Sequence, residues 1–535
     1  VDDVPDLSVA SIFFGPTLET SSEEIAGASP EAFNVLADAR GVIRKRPGIG
    51  AYTGVAPATA VDANGVLGLY LTESRVAHTS GSPTVSGTHP GVLYAVGATV
   101  NASGGGHNAG RNVYRVAGGS ATLVGTGTAN EDRLATPPAI ATTRFPRPTF
   151  VETEALLVIA GGAEIGKVDI RPETFSAPNF TTNADYQEMS FLGGCPPLAS
   201  HIIGNSSRIL ANDTQLDQTK LRYSDISQGI VSYVGHETWT PSPGAAGFFT
   251  AEARPDSIVA AAENTNDIFV FGRTSLQLFS PDTAVTFAPS ITKEVGCIAA
   301  YSPVKFDEKF VWLDHLTRVV MSDGREWEDV GAPIQTTLDD LTVPSEGYGY
   351  RVSDSFADCI VFRFQTDAQT LVFQPGIGWG KWAFGDLDSP TLFPVLSHHQ
   401  RQDGGLNVVG LSDGTIRTLS FDNTTDLGTA IEAYVTSGFL DRDSSLRKHC
   451  EAVDLAFKRT SSLNGVTCTL EWRDELSSNW EGVTIELGVA DGDLNPVVTL
   501  RSLGVYRRRQ WRFRFPDAAE LFLVSVRERF RVLDS

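Results

Sequence analysis

The sequence predicts an all-β protein, and three observations carry that prediction. Short apolar or alternating segments of strand length recur along the chain, broken by polar turns, and sustained 3.6-residue periodicity is almost absent. Glycine (51) and proline (28) are spread throughout the 535 residues, which supplies many turns and disfavours long helices. One local theme, a hydrophobic strand, a tight Gly, Asp or Asn turn and a second strand, returns seven times.

The copies begin at Asn112, Leu156, Arg208, Asp267, Lys309, Cys359 and Leu406. Their starts lie roughly 40 to 60 residues apart, the period of four-stranded propeller blades. A poorer pair, "GLYLTESRVAH" and "VLYAVGATV", reads as another blade or as part of a split one. The expected fold is therefore a β-propeller of six or seven blades over residues 61–426. In such a ring each small sheet buries its faces against its neighbours and leaves only short protected edges. Two β-sandwiches in tandem are the alternative. Near Asp426 the rhythm stops, and residues 427–535, with longer strands from Glu451, Val466, Gln510 and Glu520, predict a C-terminal β-sandwich. Residues 1–60 predict an extended N-terminal arm and interface segment, with at most one helical turn in "SSEEIAGASPEAF".

A formal charge of -22 makes the chain a poor nucleic-acid binder, because affinity for phosphate comes from basic contacts that release counterions. DNA as a passenger is compatible with it, since a conduit that lets DNA slide needs few such contacts. The five cysteines are odd in number, widely spaced and never in a C-x-x-C pair, which argues against a disulfide framework or a zinc site and fits a reducing cytoplasm. No basic-then-apolar leader opens the sequence and no run approaches the ~20 apolar residues of a membrane span. The N-x-S/T sequons read as polar turns.

Two basic clusters break this acidic background. Arg40, Arg44, Lys45 and Arg46 precede a Pro-Gly turn. From Arg501 onward nine Arg, no Lys and four acidic residues give a local +5, leaving -27 on the preceding 500 residues. Alternation puts Trp511, Phe513 and Phe515 on one face of a strand and Arg508, Gln510, Arg512 and Arg514 on the other. In the last strand it puts Phe522, Val524, Val526, Phe530 and Val532 opposite Arg527, Arg529 and Arg531. Like charges on one sheet face cost stability and call for an anion, and the nearest abundant anion is another acidic copy of the chain. Solvation of either cluster and pairing with DNA phosphate are the competing readings. On the assembly reading, reversing Arg512, Arg514 and Arg529 impairs assembly and spares the fold.

No catalytic constellation emerges, so the sequence predicts neither an enzyme nor a metal or cofactor. "MSDGREW", Met321 to Trp327, lacks the spacing of a sialidase-type Asp box and reads as a β-turn with a packed Trp. Asp307 and Glu308 are neighbours on a strand and face opposite ways. His107, His398 and His399 lie in no metal spacing and read as solvated loop histidines.

"FNVLADARGVIRKRPGI", Phe33 to Ile49, resembles the N-terminal pattern of the packaged-DNA stabilisation, or tail accessory, proteins of short-tailed bacteriophages: Asn34, Leu36, Gly41, Arg44, Pro47, Gly48 and Ile49 match. "DIFVFGRTSLQLFS", "KEVGCIAAYSPVKFDEKFVWL" and "LRSLGVYRRRQWRFRF" are similar to later segments of that family, in order, over nearly the whole chain. The segments 52–112 and the loop from Asp491 fit poorly. The resemblance implies a non-enzymatic virion protein made in the host cytoplasm. Six copies would form a hub or nozzle below the portal and its adaptor, close the DNA channel, and carry the tail needle or fibres. A carbohydrate-binding or glycosidase-like propeller is the rival.

Overall fold

The computed structural model describes residues 31–533, except 53–60, 79–84, 100–109, 128–146, 171–185, 190–193, 213–216, 227–233, 252–255, 282–286, 401–405, 441–444, 460–465, 488–496, 517–520 and breaks of one to three residues. Strands dominate. Among the described residues the only α-helix is Gln335–Asp339, and no helix is long and apolar enough to cross a membrane.

Among the described residues, seven antiparallel four-stranded units follow one another, six of them separate sheets and the sixth in order part of a larger sheet. They open with Val66–Leu71, Thr149–Glu152, Ile202–Asn205, Ile258–Asn264, Val304–Phe306, Tyr348–Ser353 and Val395–Gln400. Each strand–turn–strand copy read from the sequence falls in a different unit. The poorer early pair supplies Val66–Leu71 and Leu93–Thr99 of the first unit, split by the separate hairpin Arg75–His78/Val85–His89.

Central strands such as Leu156–Ala160, Arg208–Asn212 and Asn407–Leu411 are buried on both faces, which explains why they read as continuous apolar runs and not as alternations. Their two faces join two different cores. Tyr94 and Val96 pack with Leu157 and Ile159, Val158 with Ile209, Leu210 with Ile268 and Val270, Phe271 with Trp312, Val311 with Phe362, and Val361 with Val409. Val408 of the seventh unit then shares a core with Val66 and Leu69 of the first. The cores thus make a circuit from unit to unit.

Residues 31–51 do not form an extended arm. Glu31–Phe33 pairs in parallel with Gly378–Lys381 (Phe33↔Lys381) and antiparallel with Ala433–Thr436. Val35–Ala37 and Ile43–Lys45 form a hairpin at the edge of a six-stranded sheet, joined through Ile43↔Leu523. Gly48–Ala51 is the fourth strand of the seventh unit, paired with Ile416–Ser420. The short apolar strands of this segment have unpaired edges that must find partners, and they find them more than 300 residues away. Gly48–Ala51, on the N-terminal side of the boundary expected at residue 60, is thus built into the seventh unit.

Beyond residue 430 two sheets share one core. The first contains Ala433–Thr436, Arg509–Phe515, Val466–Asp474 and Glu481–Leu487, and the second Lys448–Arg459, Leu521–Val532 and Val497–Arg501. Trp511, Phe513 and Phe515 point into that core with Val453, Leu455 and Phe457, as the alternation requires. The last strand keeps its predicted faces from Val526 onward, with Arg527, Arg529 and Arg531 outward, but departs from them before that. Its register steps from Ala456↔Ser525 to Phe457↔Leu523, so Val524 is an extra residue that flips the parity. Leu521 and Leu523 consequently enter the core, and Val524 is 39% exposed.

Candidate functional site

The first basic cluster is a buried lock. Arg40 lies outside the described residues. Arg44 is buried, its guanidinium 4.3 to 4.9 Å from the ring centroids of Phe421, Phe356 and Phe522, and it donates to the Phe421 carbonyl. Lys45 is buried too. Arg46 uses its full set of five donors: Nε to Asn34 Oδ1 (2.9 Å), Nη1 to Pro47 O and Asp426 Oδ1 (both 3.0 Å), and Nη2 to Ala383 O (2.9 Å) and Asp426 Oδ2. Asn34, at φ 56°, occupies the left-handed region that Asn tolerates, and its Nδ2 donates to Glu432 O. A Cβ on Gly48 would lie 2.4 Å from Thr425 O, so the strand passes Thr425 only as glycine. The expectation that this cluster sits exposed at a turn entry is corrected: these cations are enclosed by the strands the segment joins.

The second cluster is largely paired within the chain. Arg512 pairs with Glu471 and lies 4.0 Å from the Trp480 ring, and Arg514 is 3.7 Å from the same carboxylate. Arg508, Arg512 and Arg514 are partly buried, whereas Arg527, Arg529 and Arg531 are exposed. Arg529 reaches Asp454 at 3.0 Å and Arg531 reaches Glu451 at 3.8 Å, and Arg527 lies in the field of Asp454. The expected uncompensated cationic face is corrected: Glu471, Asp454 and Glu451, which lie outside the C-terminal segment on the adjoining strands, supply its counter-charges. Reversal at Arg512 is then not silent. Arg512→Glu, which sets a carboxylate against Glu471, is expected to cost ~1–3 kcal/mol in urea unfolding, and Arg527→Glu less than ~0.5.

Chemically distinct side chains converge elsewhere, at the hub of the seven units. A cavity of about 400 Å³ is lined by residues from all seven, including Tyr70, Arg147, Phe150, His201, Glu263, Tyr301, Tyr348, His398 and His399. The opening strands of the units bring these residues to one axis. His398 and His399 lie within strand Val395–Gln400 and not in a solvated loop. His398 bonds Asn407 (3.0 Å) and stacks on Tyr350, His399 packs on Tyr70, and His201 stacks on Tyr301. Burial lowers all three imidazoles to about 4, so they are neutral at pH 7. Burial also raises the Tyr348 phenol and the Glu263 carboxyl. The adjacent His-His pair is the one sequence feature that marks this axis.

His107 lies outside the described residues. Asp307 sits in a turn at φ 51° and pairs with Arg351, so it is not a strand neighbour of Glu308. The turn at Asp323–Glu326 is present, but Trp327 is 42% exposed beside Arg318 and not packed in a core. Among the described residues no group of three or more His, Cys, Asp or Glu is placed to hold a metal.

Comparison with known proteins adds the following. A family model described as Bacteriophage P22 Gp10, β-propeller, matches residues 237–322, which hold the fourth unit whole and parts of the third and fifth. A search of curated proteins finds no match. Among solved structures, the Neurospora crassa Pan2 WD40 domain aligns at 9% identity and TM-score 0.34, over 67% of this chain and 97% of that one. Kluyvelomyces marxianus Hsv2 aligns at 9% identity and TM-score 0.31, over 56% and 94%. TmCBM61 in complex with β-1,4-galactotriose aligns at 14% identity and TM-score 0.14, over 19% and 63%. Over residues 237–322 this all-β chain is thus similar to the β-propeller of a phage protein, which supports the resemblance to the phage tail accessory family across that stretch.

Proposed function

We propose that the chain is a structural protein of a phage tail, a hub or nozzle that assembles as a ring, six copies in number, below the portal and its adaptor. In this reading it closes the DNA exit channel after packaging and anchors the needle or fibres, and it carries no catalytic activity. The single observation that supports it most is the family-model match over residues 237–322. The fold is read as a seven-bladed propeller closed by Gly48–Ala51, followed by a β-sandwich, and two features suit a part under mechanical load. One segment, residues 31–51, pairs with three sheets, and one buried ion pair, Arg46–Asp426, ties that segment to the end of the propeller. In this reading DNA does not pass through an individual propeller, whose axial cavity of about 400 Å³ has small-molecule dimensions. The conduit lies at the centre of the ring of copies. Arg527, Arg529 and Arg531 are exposed and, although paired or close to Asp454 and Glu451 of their own chain, still present a cationic rim to acidic neighbours.

Mass photometry and negative-stain imaging of the purified chain, alone and mixed with portal–adaptor complex, test the reading. Six-fold rings on the complex are the expected result, whether or not the chain is monomeric by itself. A chain that ignores the complex and instead retains or cleaves a glycan overturns it.

A further inference from the structure

Arg147 sits at the start of the second unit and extends across the axial cavity. Its Nη1 donates to Leu396 O of the seventh unit, and its guanidinium carbon lies 3.8 Å from the centroid of the Tyr348 ring in the sixth. Two fully enclosed arginines are paired with carboxylates, Arg46 with Asp426 and Arg509 with Asp474, whereas buried Arg44 rests on three rings and a carbonyl. Among the described residues no carboxylate is within salt-bridge distance of Arg147, whose direct contacts are one carbonyl and one ring, and the Glu346 carboxylate favours its charge only from farther off. A nearby and fully buried guanidinium, that of Arg363, whose residue is register-paired with Tyr348, also bonds only a carbonyl, Phe393 O, at 3.3 Å. The two repel one another, and burial with that repulsion lowers Arg363 to about 10.

Charges removed from water are stable when paired, and a guanidinium is the side chain whose fork matches the oxygens of phosphate and carboxylate. Here Arg147 lines an aromatic cavity beside the phenol of Tyr348, whose O–H can donate a hydrogen bond, while the single N–H of each neutral imidazole is already spent, that of His398 on Asn407 Oδ1 and those of His201 and His399 on the backbone at Ala300 and Leu71. Glu263 lies on the fourth unit, held by Asn205, across from the wall that Arg147 contacts. We propose that the axial cavity is a binding site for a small oxyanion, of the phosphate or carboxylate class, gripped by the guanidinium of Arg147. The volume of about 400 Å³ admits such an anion with several waters and excludes any polymer. The site is independent of ring assembly, so either proposal stands or fails without the other.

The test is thermal unfolding and calorimetric titration of the full chain with inorganic phosphate, acetate and succinate, each against potassium chloride at matched ionic strength. A saturable rise in Tm above the chloride control is expected for phosphate or for a carboxylate, and the anion that gives it identifies the class. Arg147→Gln is expected to abolish the rise, and Arg325→Gln, on an exposed turn, to keep it. No rise beyond chloride for any anion, or a folded Arg147→Gln protein that binds as wild type does, overturns the proposal. Should Arg147→Gln fail to fold, crystals of the wild-type chain soaked in selenate decide: an anomalous peak beside Arg147 is expected, and peaks confined to surface arginines reject it.

Discussion

Arg46→Met is expected to destabilise the folded chain by about 3–5 kcal/mol, read as a lower urea midpoint with the chain still able to fold at low temperature. The substitution removes one half of a fully enclosed ion pair. It leaves Asp426 buried with the Ile49 amide (3.1 Å) as its donor among the described residues, and it strips Asn34 Oδ1 of one of its two donors. An uncompensated buried carboxylate dominates that cost, so the double variant Arg46→Met/Asp426→Leu is expected to recover a large part of it. Local consequences should follow the geometry. Amide exchange ought to rise first in Gly48–Ala51 and Ile416–Ser420, whose pairing the bridge secures, and only later in the fourth and fifth units. A cluster serving only as an intermolecular contact would give an Arg46→Met monomer of unchanged midpoint, and that result would refute the lock.

Acidification is expected to weaken the fold between pH 6.5 and about 4, through the histidines of the axial cavity. His201, His398 and His399 titrate near 6.5 when the chain is unfolded and near 4 when it is folded, because burial opposes the charged form. Inside that window the unfolded chain holds more protons, so lowering the pH favours unfolding: the stability is whole above pH 6.5 and drains away toward pH 4. Each shift corresponds to on the order of 3 kcal/mol, and the three are coupled through a shared cavity, so their effects do not simply add. Urea midpoints measured from pH 7.5 to 4 for wild type and for His399→Phe, which retains an aromatic partner for Tyr70, provide the check. A flatter slope in the variant is expected. Identical slopes would place the acid sensitivity in other groups.

The strand rhythm was legible because its causes are local. Alternation and apolar runs report how a few consecutive residues face a core, and Gly, Asp and Asn turns report where the chain reverses. All seven copies accordingly lie in seven successive units. The same local logic failed at the start of the last strand, where the extra residue Val524 sets the preceding residues on the opposite parity, so Leu521 and Leu523 face the core while Arg527, Arg529 and Arg531 keep the outward face that alternation gives them, and nothing in "ELFLVSVRERFRV" marks the bulge. Histidines read as polar were placed in solvent, yet a neutral imidazole packs as an aromatic ring once Tyr70 and Tyr350 are brought beside it. Counting arginines along one segment assumed that their counter-charges were elsewhere. Glu471 and Asp454 supply them from neighbouring strands.

The sequence by itself determined that this is an all-β chain with a repeated strand–turn–strand unit and a differently built end, since backbone pleat and turn chemistry act over a handful of residues. Only the tertiary structure decided that Gly48–Ala51 completes the seventh unit, that Arg46 meets an aspartate 380 positions away, and that an arginine from the second unit shares a cavity with histidines from the third and the seventh. Such partners are selected by long-range packing and by the need to satisfy buried charge and open strand edges. These are properties of the assembled core and leave no periodic trace in the order of the residues.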